Sequence, residues 1–238
     1  MLLFYIRHGD PIYEPDSLTP IGKRQAEALA KRLSRYGLDR IYASSSNRAM
    51  LTAQPTCELV KKEMTVLDWC NENHVWKDLA VTVDGRTNWC FQHPCIRDIM
   101  VSHEVRALGR EWYRHPAFAA YPSFEVGMTR VQRECDALLL SLGYRHDLEK
   151  NGYYVEKPNN ERVAIFAHHG FGEAFLSCLL DIPYPEMSIR TDIGHTGMTV
   201  VNFPNSEGLV IPRMLQFSND AHIYAEGLPT KYHNVLYF

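Results

Sequence analysis

The sequence contains no apolar run of the roughly 18 residues or more that a membrane-spanning helix needs. Its apolar opening, residues 1–6, is too short for the core of a signal peptide and is followed at once by Arg7. Cysteine is sparse as well, because six cysteines are spread over 238 residues without a Cys-x-x-Cys pair, unlike a disulfide-rich secreted domain. We therefore expect a cytoplasmic protein with reduced thiols and no membrane partner.

An excess of positive charge is also missing. Lys and Arg number 25 against 28 Asp and Glu, which gives a formal net charge of -3 and no basic field for a nucleic-acid backbone. Hydrophobic residues at 45% and charged residues at 22% are near globular averages, which excludes disordered, collagenous and coiled-coil chains. The length fits one large α/β domain or one domain with a sizeable insertion. These features favour a folded protein with a small-molecule partner.

Short apolar segments alternate with helical patterns at both ends of the chain. Such an order predicts right-handed βαβ units and a mostly parallel sheet flanked by helices, a three-layer sandwich. Thr19 and Pro20 predict the start of the first helix, and Gly37 its end. The predicted strands are residues 2–6, 40–43, 64–67 and 163–167, the helices follow at 20–36, 48–62 and 171–180, and a hairpin at 198–203 and 210–217 closes the sheet.

The alternation stops between residue 73 and about residue 154, where aromatic residues and prolines are frequent. We interpret this segment as an inserted cap within a single domain spanning residues 1–238. Its last part, residues 128–142, has the apolar spacing of an amphipathic helix. The cap aromatics fit either a substrate wall or packing against the sheet, and packing is the preferred interpretation.

Polar residues follow the predicted strands at their carboxyl ends, where ligands bind in open α/β sheets. Arg7, His8 and Gly9 follow the first strand, Arg48 begins the second helix, and His169 with Gly170 follows a later strand. Guanidinium groups bind phosphate oxygens bidentately, and the N-terminus of a helix adds backbone donors. A neutral imidazole can attack phosphorus and form a phosphohistidine. The set predicts a phosphoryl-transfer site that needs no metal or other cofactor.

Four blocks of sequence, in this order and spacing, resemble the phosphoglycerate mutase-like branch of the histidine phosphatase superfamily. They are LFYIRHG at 3–9, LTPIGKRQA at 18–26, SSSNRA at 44–49 and FAHHG at 166–170. The resemblance covers residues 1–75 and 160–225 and hardly touches the inserted cap. It implies that His8 is the phosphorylated nucleophile, that Arg7 and Arg48 bind the phosphate, and that His169 is the second imidazole of the pocket.

The leaving alcohol needs a proton, which a carboxylic acid beside a phosphate dianion can supply. The segment Cys70 to His74 resembles the place where the family carries its acid, so Glu72 is the predicted proton donor. Other carboxylates remain alternatives: Asp10, Glu14 and Asp16 in the loop after the nucleophile, and Asp68.

The chain departs from the family pattern after Gly9. Asp10 and Pro11 replace the common Glu-Thr pair, and Glu14 occupies the place of a phosphate-binding asparagine, so phosphate binding there is expected to be rearranged. His169 is followed by Gly170, which excludes the acid phosphatase branch with its His-Asp pair. His168 alternates to the other side of the strand end and is predicted to pack behind the pocket. His222 lies in a segment that resembles the family's closing segment.

The sequence is compatible with three hypotheses about function. The preferred one is a phosphatase that hydrolyses small phosphomonoesters through phospho-His8. A phosphoglycerate mutase would need further cations in the cap, for which the candidates are Arg86, Arg97, Arg106, Arg110 and Arg114. A protein that binds a phosphorylated ligand without turnover would follow if the loop at 10–16 blocks the pocket. A less favoured zinc site would use Cys90, His93 and Cys95, with His103 as a fourth ligand.

Overall fold

The computed structural model describes residues 1–230 and contains a central sheet of six strands. They are β1 (Leu2–Arg7), β4 (Arg40–Ser44), β5 (Met64–Leu67), β10 (Arg162–Ala167), β11 (Met198–Asn202) and β13 (Arg213–Asn219). The spatial order is β13-β11-β1-β10-β4-β5, in which β1, β10, β4 and β5 are parallel, β11 is antiparallel to β1, and β13 is antiparallel to β11. The predicted mostly parallel sheet is confirmed.

Helices cover both faces of this sheet. Alternation along β1 sends Phe4 and Ile6 toward α1 (Pro20–Tyr36) and α2 (Asn47–Val60), and sends Leu3 and Tyr5 into the core on the other face. That second core includes residues of α7 (His169–Leu180). Two apolar cores separated by the sheet make three layers, as predicted.

Local sequence signals explain the first helix. The Thr19 side chain accepts a hydrogen bond from Gly22 N, Pro20 occupies the first turn, and Gly37 ends the helix at φ 65°. Gly22 also lets the loop after β1 approach closely, because a Cβ at Gly22 would lie 2.2 Å from the Asp10 carbonyl oxygen. The close approach of Gly22 to Asp10 fixes the position of the loop that follows the predicted nucleophile.

The segment interpreted as a cap is mainly helical. It contains α3 (Glu72–Leu79), β6 (Ala80–Val83), β7 (Arg86–Trp89), α4 (Pro94–Met100), α5 (His103–Ala107), α6 (Ser123–Ser141), β8 (Tyr144–Asp147) and β9 (Gly152–Val155). Trp112, Phe118 and Phe124 are buried in the same core as Tyr5 and Phe175. Most cap aromatics therefore pack against the sheet layer, and α6 includes the amphipathic helix predicted from the sequence.

Some elements differ from the sequence predictions. The loop after β1 forms a small hairpin, β2 (Pro11–Tyr13) and β3 (Asp16–Leu18), which the short polar sequence did not indicate. The predicted final hairpin forms between β11 and β13, but β12 (Leu209–Val210) pairs with β9 instead. Two further helices follow α7, namely α8 (Tyr184–Arg190) and α9 (Ala221–Ala225).

All six cysteines are free, with Cys95 exposed and the other five buried. Within residues 1–230, the structure contains no helix with both the length and the apolar character needed to cross a membrane.

Candidate active site

The candidate site lies at the carboxyl ends of β1, β10 and β4. Arg7 of β1 is paired with Ala167 of β10, so the residues that follow, His8 and His168, leave the sheet side by side. Their ring centroids are 5.3 Å apart. Ser44, the last residue of β4, contacts the His168 ring from the other side. Strand order and register thus create the crevice expected for this class of sheet.

His8 is 1% exposed, and its orientation is fixed by the backbone. Nδ1 lies 2.7 Å from the Gly9 carbonyl oxygen, which can only accept, so Nδ1 carries the proton and Nε2 keeps its lone pair. Burial, the His168 ring and Arg7 hold the pKa of His8 well below its usual 6.5. A neutral imidazole with an unprotonated Nε2 is the form that can attack phosphorus.

His168 is placed in the site, contrary to the sequence prediction. Its Nε2 lies 2.8 Å from Ser44 Oγ and 3.2 Å from Ser46 Oγ, while Nδ1 lies 3.2 Å from Arg48 Nη2. Burial is the main cause that lowers the pKa of His168 to about 4, so this ring is neutral and Nδ1 accepts from the guanidinium. The second imidazole beside His8 is therefore His168.

His169, predicted as that second imidazole, is directed elsewhere. It is the first residue of α7, and its Nε2 lies 3.3 Å from Glu173 Oε1 and 3.4 Å from Asp192 Oδ1. The prediction of His169 rests on the likeness of the dipeptides His8-Gly9 and His169-Gly170. The strand register instead makes His168 the equivalent of His8, since Ala167 pairs with Arg7. The point at which the apolar strand ends is therefore the sequence feature that indicates His168.

The two predicted phosphate-binding arginines reach the site by different routes. Arg7 is 5% exposed and donates from Nη1 to the Ile193 carbonyl oxygen at 2.6 Å, and burial lowers its pKa. Arg48 lies at the N-terminus of α2, with Nη1 3.0 Å from Asp16 and Nη2 3.5 Å from Glu72. Asp16 also accepts from Asn47 N, so the β2–β3 hairpin is attached to the start of α2.

Glu72 is the carboxylate beside the two imidazoles. It begins α3, and its Oε1 accepts from Gly170 N at 2.8 Å. Oε2 lies 3.7 Å from His168 Nδ1. The other candidate carboxylates have their own partners: Asp10 accepts from Thr19, Asp16 lies 3.0 Å from Arg48 within the site, and Asp68 accepts from Ser45 at the surface. Glu14 is exposed on the β2–β3 turn.

The ligand atoms of His8, Glu72 and His168 lie within 4.8 Å of one another, the only group of three or more metal-ligand side chains found in residues 1–230. The alternative cluster expected from Cys90, His93 and Cys95 does not form such a group. Cys90 is buried, Cys95 is exposed, and His93 Nε2 lies 3.0 Å from the Val81 carbonyl oxygen.

The arginines proposed for a mutase carboxylate pocket are directed to other partners. Four form ion pairs outside the site: Arg97 with Asp98, Arg106 with Glu186, Arg110 with Asp181, and Arg114 with Glu111. Arg86 begins β7 and is exposed.

Trp89, predicted only as one of the cap aromatics, and Asp192, not predicted as a site residue, make contacts beside the site. Trp89, at the end of β7, packs directly on Gly170, where an added Cβ would lie 2.2 Å from its Cζ2 atom. Asp192 lies beside His169. Both contacts join segments far apart in the chain, so no local pattern could reveal them.

Comparison with known proteins supports the predicted resemblance and the fold. The model of the histidine phosphatase superfamily (branch 1) matches residues 3–83. The search of curated proteins found no match. A phosphoserine phosphatase mutant from Entamoeba histolytica, solved in complex with phosphoserine, is 19% identical with a TM-score of 0.58, covering 93% of this chain and 98% of that one.

Two further solved structures share the fold. The mycobacterial glucosyl-3-phosphoglycerate phosphatase is 18% identical with a TM-score of 0.56, covering 91% of this chain and 98% of that one. The α-ribazole phosphatase from Shigella flexneri is 18% identical with a TM-score of 0.58, covering 92% and 97%. The resemblance to the histidine phosphatase superfamily predicted from the sequence is confirmed. These solved structures show that the chain shares their fold.

Proposed function

We propose that the chain is a metal-independent phosphatase that hydrolyses small phosphomonoesters through a phosphohistidine on His8. The observation that carries the proposal is the state of His8. Its Nδ1 proton is held by Gly9, its Nε2 lone pair is free of a proton, and Arg7 and Arg48 supply positive charge nearby. The same arrangement is what in-line phosphoryl transfer requires.

In the first step, His8 Nε2 attacks phosphorus and the bond from phosphorus to the ester oxygen breaks. The leaving oxygen takes the carboxyl proton of Glu72, and the alcohol departs. Arg7 and Arg48 balance the charge that spreads over the three equatorial oxygens, a stabilisation worth about 2.7–4 kcal/mol for one preorganised donor. His168 keeps Arg48 in place, because its Nδ1 accepts from that guanidinium.

In the second step, water attacks the phosphoryl group on His8. Glu72, now a carboxylate, accepts the water proton, and the bond from phosphorus to Nε2 breaks. Phosphate leaves, and both residues return to their initial protonation states.

We also propose that the enzyme works in the cytoplasm, a reducing compartment that suits six free cysteines. The net charge of -3 argues against a nucleic-acid substrate.

The test is release of inorganic phosphate from p-nitrophenyl phosphate before and after exhaustive chelation. We expect full activity in chelator, because Arg7 and Arg48 supply the charge that a metal would supply. His8→Ala should be inactive, while His103→Ala, an exposed histidine outside the site, serves as the matched control. Loss of activity on chelation with recovery on adding zinc contradicts the proposal. Tight phosphate binding without turnover would indicate a binding protein instead.

A further inference from the structure

A groove of about 560 Å³ opens beside Arg48 and Glu72. Because both residues act on the transferring phosphoryl group in the proposed mechanism, this groove is where the alcohol part of the substrate would extend. Aromatic side chains and side-chain amides both line it. We call Tyr13, Trp76 and Trp89 the aromatic wall and Asn47, Asn71 and Asn73 the amide wall. The volume lies within the range of sites for small organic ligands.

Two of the three aromatic rings pack against each other. The Trp76 and Trp89 rings are perpendicular, with centroids 4.8 Å apart, and Trp89 is seated on Gly170 at the start of α7. Trp76 remains 36% exposed, so it presents an apolar surface to a ligand in the groove. Such a surface binds the C–H groups of a flat or cyclic molecule.

The amide wall offers hydrogen bonds. Asn47 Nδ2 donates to the Asp16 backbone oxygen, whereas Asn71 Oδ1 accepts from Asn73 N and Asn71 Nδ2 donates to Ser45 Oγ. Within residues 1–230, Asn47 Oδ1 and the Asn73 side chain have no hydrogen-bond partner. Together they offer both donors and acceptors, which is what hydroxyl groups need.

The charges of the groove are already compensated. Arg48 is the only lysine or arginine that lines it among residues 1–230, and it is paired with Asp16, while Glu72 carries the proton that the proposed first step needs. Asp16 also binds Asn47 N, and Glu72 binds Gly170 N. No cation is therefore left for a substrate carboxylate, and no carboxylate is left for a substrate ammonium. A charged group placed there would lose its hydration without gaining a partner.

We propose that the groove selects phosphate esters of uncharged polyols, the class that includes glycerol and sugars, over esters of carboxylic acids and of amines. The C–H edges of such a polyol pack on Trp76 and Trp89 while its hydroxyls bond to the asparagines. This selectivity rests on the proposed phosphatase function and adds the substrate class to it.

The test compares three small phosphate esters with different charges in the alcohol part. Glycerol 3-phosphate is neutral there, 3-phosphoglycerate carries a carboxylate on the same carbon skeleton, and phosphoethanolamine carries an ammonium. We expect kcat/KM for glycerol 3-phosphate to exceed both others by about tenfold or more. A charged substrate that equals or exceeds glycerol 3-phosphate overturns the selectivity. Hydrolysis of p-nitrophenyl phosphate is measured in parallel, so failure of the phosphatase function itself is distinguishable.

A charge variant gives a second, independent readout. Asn73→Lys adds a cation to the amide wall without changing the phosphate clamp, so the kcat/KM ratio of 3-phosphoglycerate to glycerol 3-phosphate should rise by about fivefold or more. Asn205→Lys is the matched control, because it makes the same replacement in an exposed loop after β11, outside the groove. An unchanged ratio in Asn73→Lys, or an equal rise in both variants, would show that the groove does not set charge selectivity.

Discussion

The chemistry proposed for the site depends on two buried imidazoles that stay neutral. His8 is held by Gly9 and His168 by Ser44 and Arg48, and burial lowers both pKa values. Neutral rings leave the positive charge to Arg7 and Arg48, which are the proposed phosphate-binding residues. The nucleophile therefore does not need to lose a proton before it reacts.

The proposed contributions of Glu72 and Arg48 to the rate can be measured separately, although the two side chains are in contact. If Glu72 protonates the leaving oxygen, Glu72→Gln should lower kcat/KM for glycerol 3-phosphate by about 10²–10⁴. The loss should be far smaller for p-nitrophenyl phosphate, whose phenolate leaves without a proton. Arg48→Ala should lower both by a similar factor, about 10²–10³, because it stabilises the transferring group itself. Steady-state kinetics of both variants on both substrates measures this.

An equal loss on the two substrates in Glu72→Gln would contradict the assignment. The acid would then be sought among the carboxylates of the 10–16 loop, of which Asp16 already lies beside Arg48.

The position of a site residue was predictable from the sequence where that residue directly follows a strand or begins a helix. Arg7, His8 and Arg48 lie at strand or helix ends and were placed correctly at one edge of the sheet. The sequence prediction put His169 in the pocket and His168 behind it, because the His-Gly dipeptide is conspicuous in the sequence and the strand register is not. Asp192 joins the site only through the loop before β11, which the helical and strand patterns do not position.

At the scale of elements, the β6–β7 hairpin is fastened to the start of α7 by one close contact. Gly170 has no side chain, and Trp89 fills that space. Gly170→Ala should therefore displace the indole and cost about 1–3 kcal/mol of unfolding free energy, as overpacking does. Urea unfolding of the single variants and of the Gly170→Ala/Trp89→Ala pair measures the coupling.

Trp89→Ala removes the ring that the new methyl group meets. The double variant should then be more stable than the sum of the two single losses predicts, by about 1 kcal/mol or more. Additive losses, within about 0.5 kcal/mol, would mean that Trp89 does not rest on Gly170 in solution.

Elements with local signals were the ones predicted well. The helix from Pro20 has a capping threonine and a terminal glycine, and α6 has a continuous apolar stripe. The hairpins β2–β3 and β6–β7 and the pairing of β12 with β9 depend on distant partners. Propensity in three or four residues is too weak to specify such pairings.

At the scale of the whole molecule, one buried ion network connects the inserted segment to α7. His146 Nδ1 lies 2.8 Å from Asp136, and its Nε2 lies 3.0 Å from Asp181 at the end of α7. Burial opposes the charged form, but the two carboxylates outweigh it and raise the pKa of His146 to about 9. The ring also stacks on Tyr153 at 4.2 Å.

The network makes stability depend on pH. Between the unfolded value of about 6.5 and the folded value of about 9, the folded state binds more protons, so this contribution is complete below pH 6.5 and is lost as pH rises through 9. His146→Ala should cost on the order of 3 kcal/mol at pH 6, because it removes the cation between two carboxylates and leaves Asp181 only Arg110 as an ion-pair partner. The cost should be clearly smaller at pH 9.5. Urea unfolding at the two pH values tests this, with His103→Ala as control. A loss that is the same at both pH values would show that His146 acts through packing alone.

The order of strands and helices in the sequence predicts the central sheet and its helices, but it does not predict the arrangement of the cap. Its aromatic residues enter the same core as Tyr5 and Phe175, a packing determined by contacts across the sheet layer. For that reason the substrate groove, which borrows Trp76 and Trp89 from this segment, became visible only in three dimensions.

The central claim is that His8 carries the phosphoryl group during turnover. Quenching the enzyme in base during reaction with labelled phosphate ester should trap label that survives alkali, is lost in acid and maps to the peptide containing His8. His103→Ala should trap the same label and His8→Ala none. Label that is stable to acid, maps to another residue or persists in His8→Ala would contradict the account.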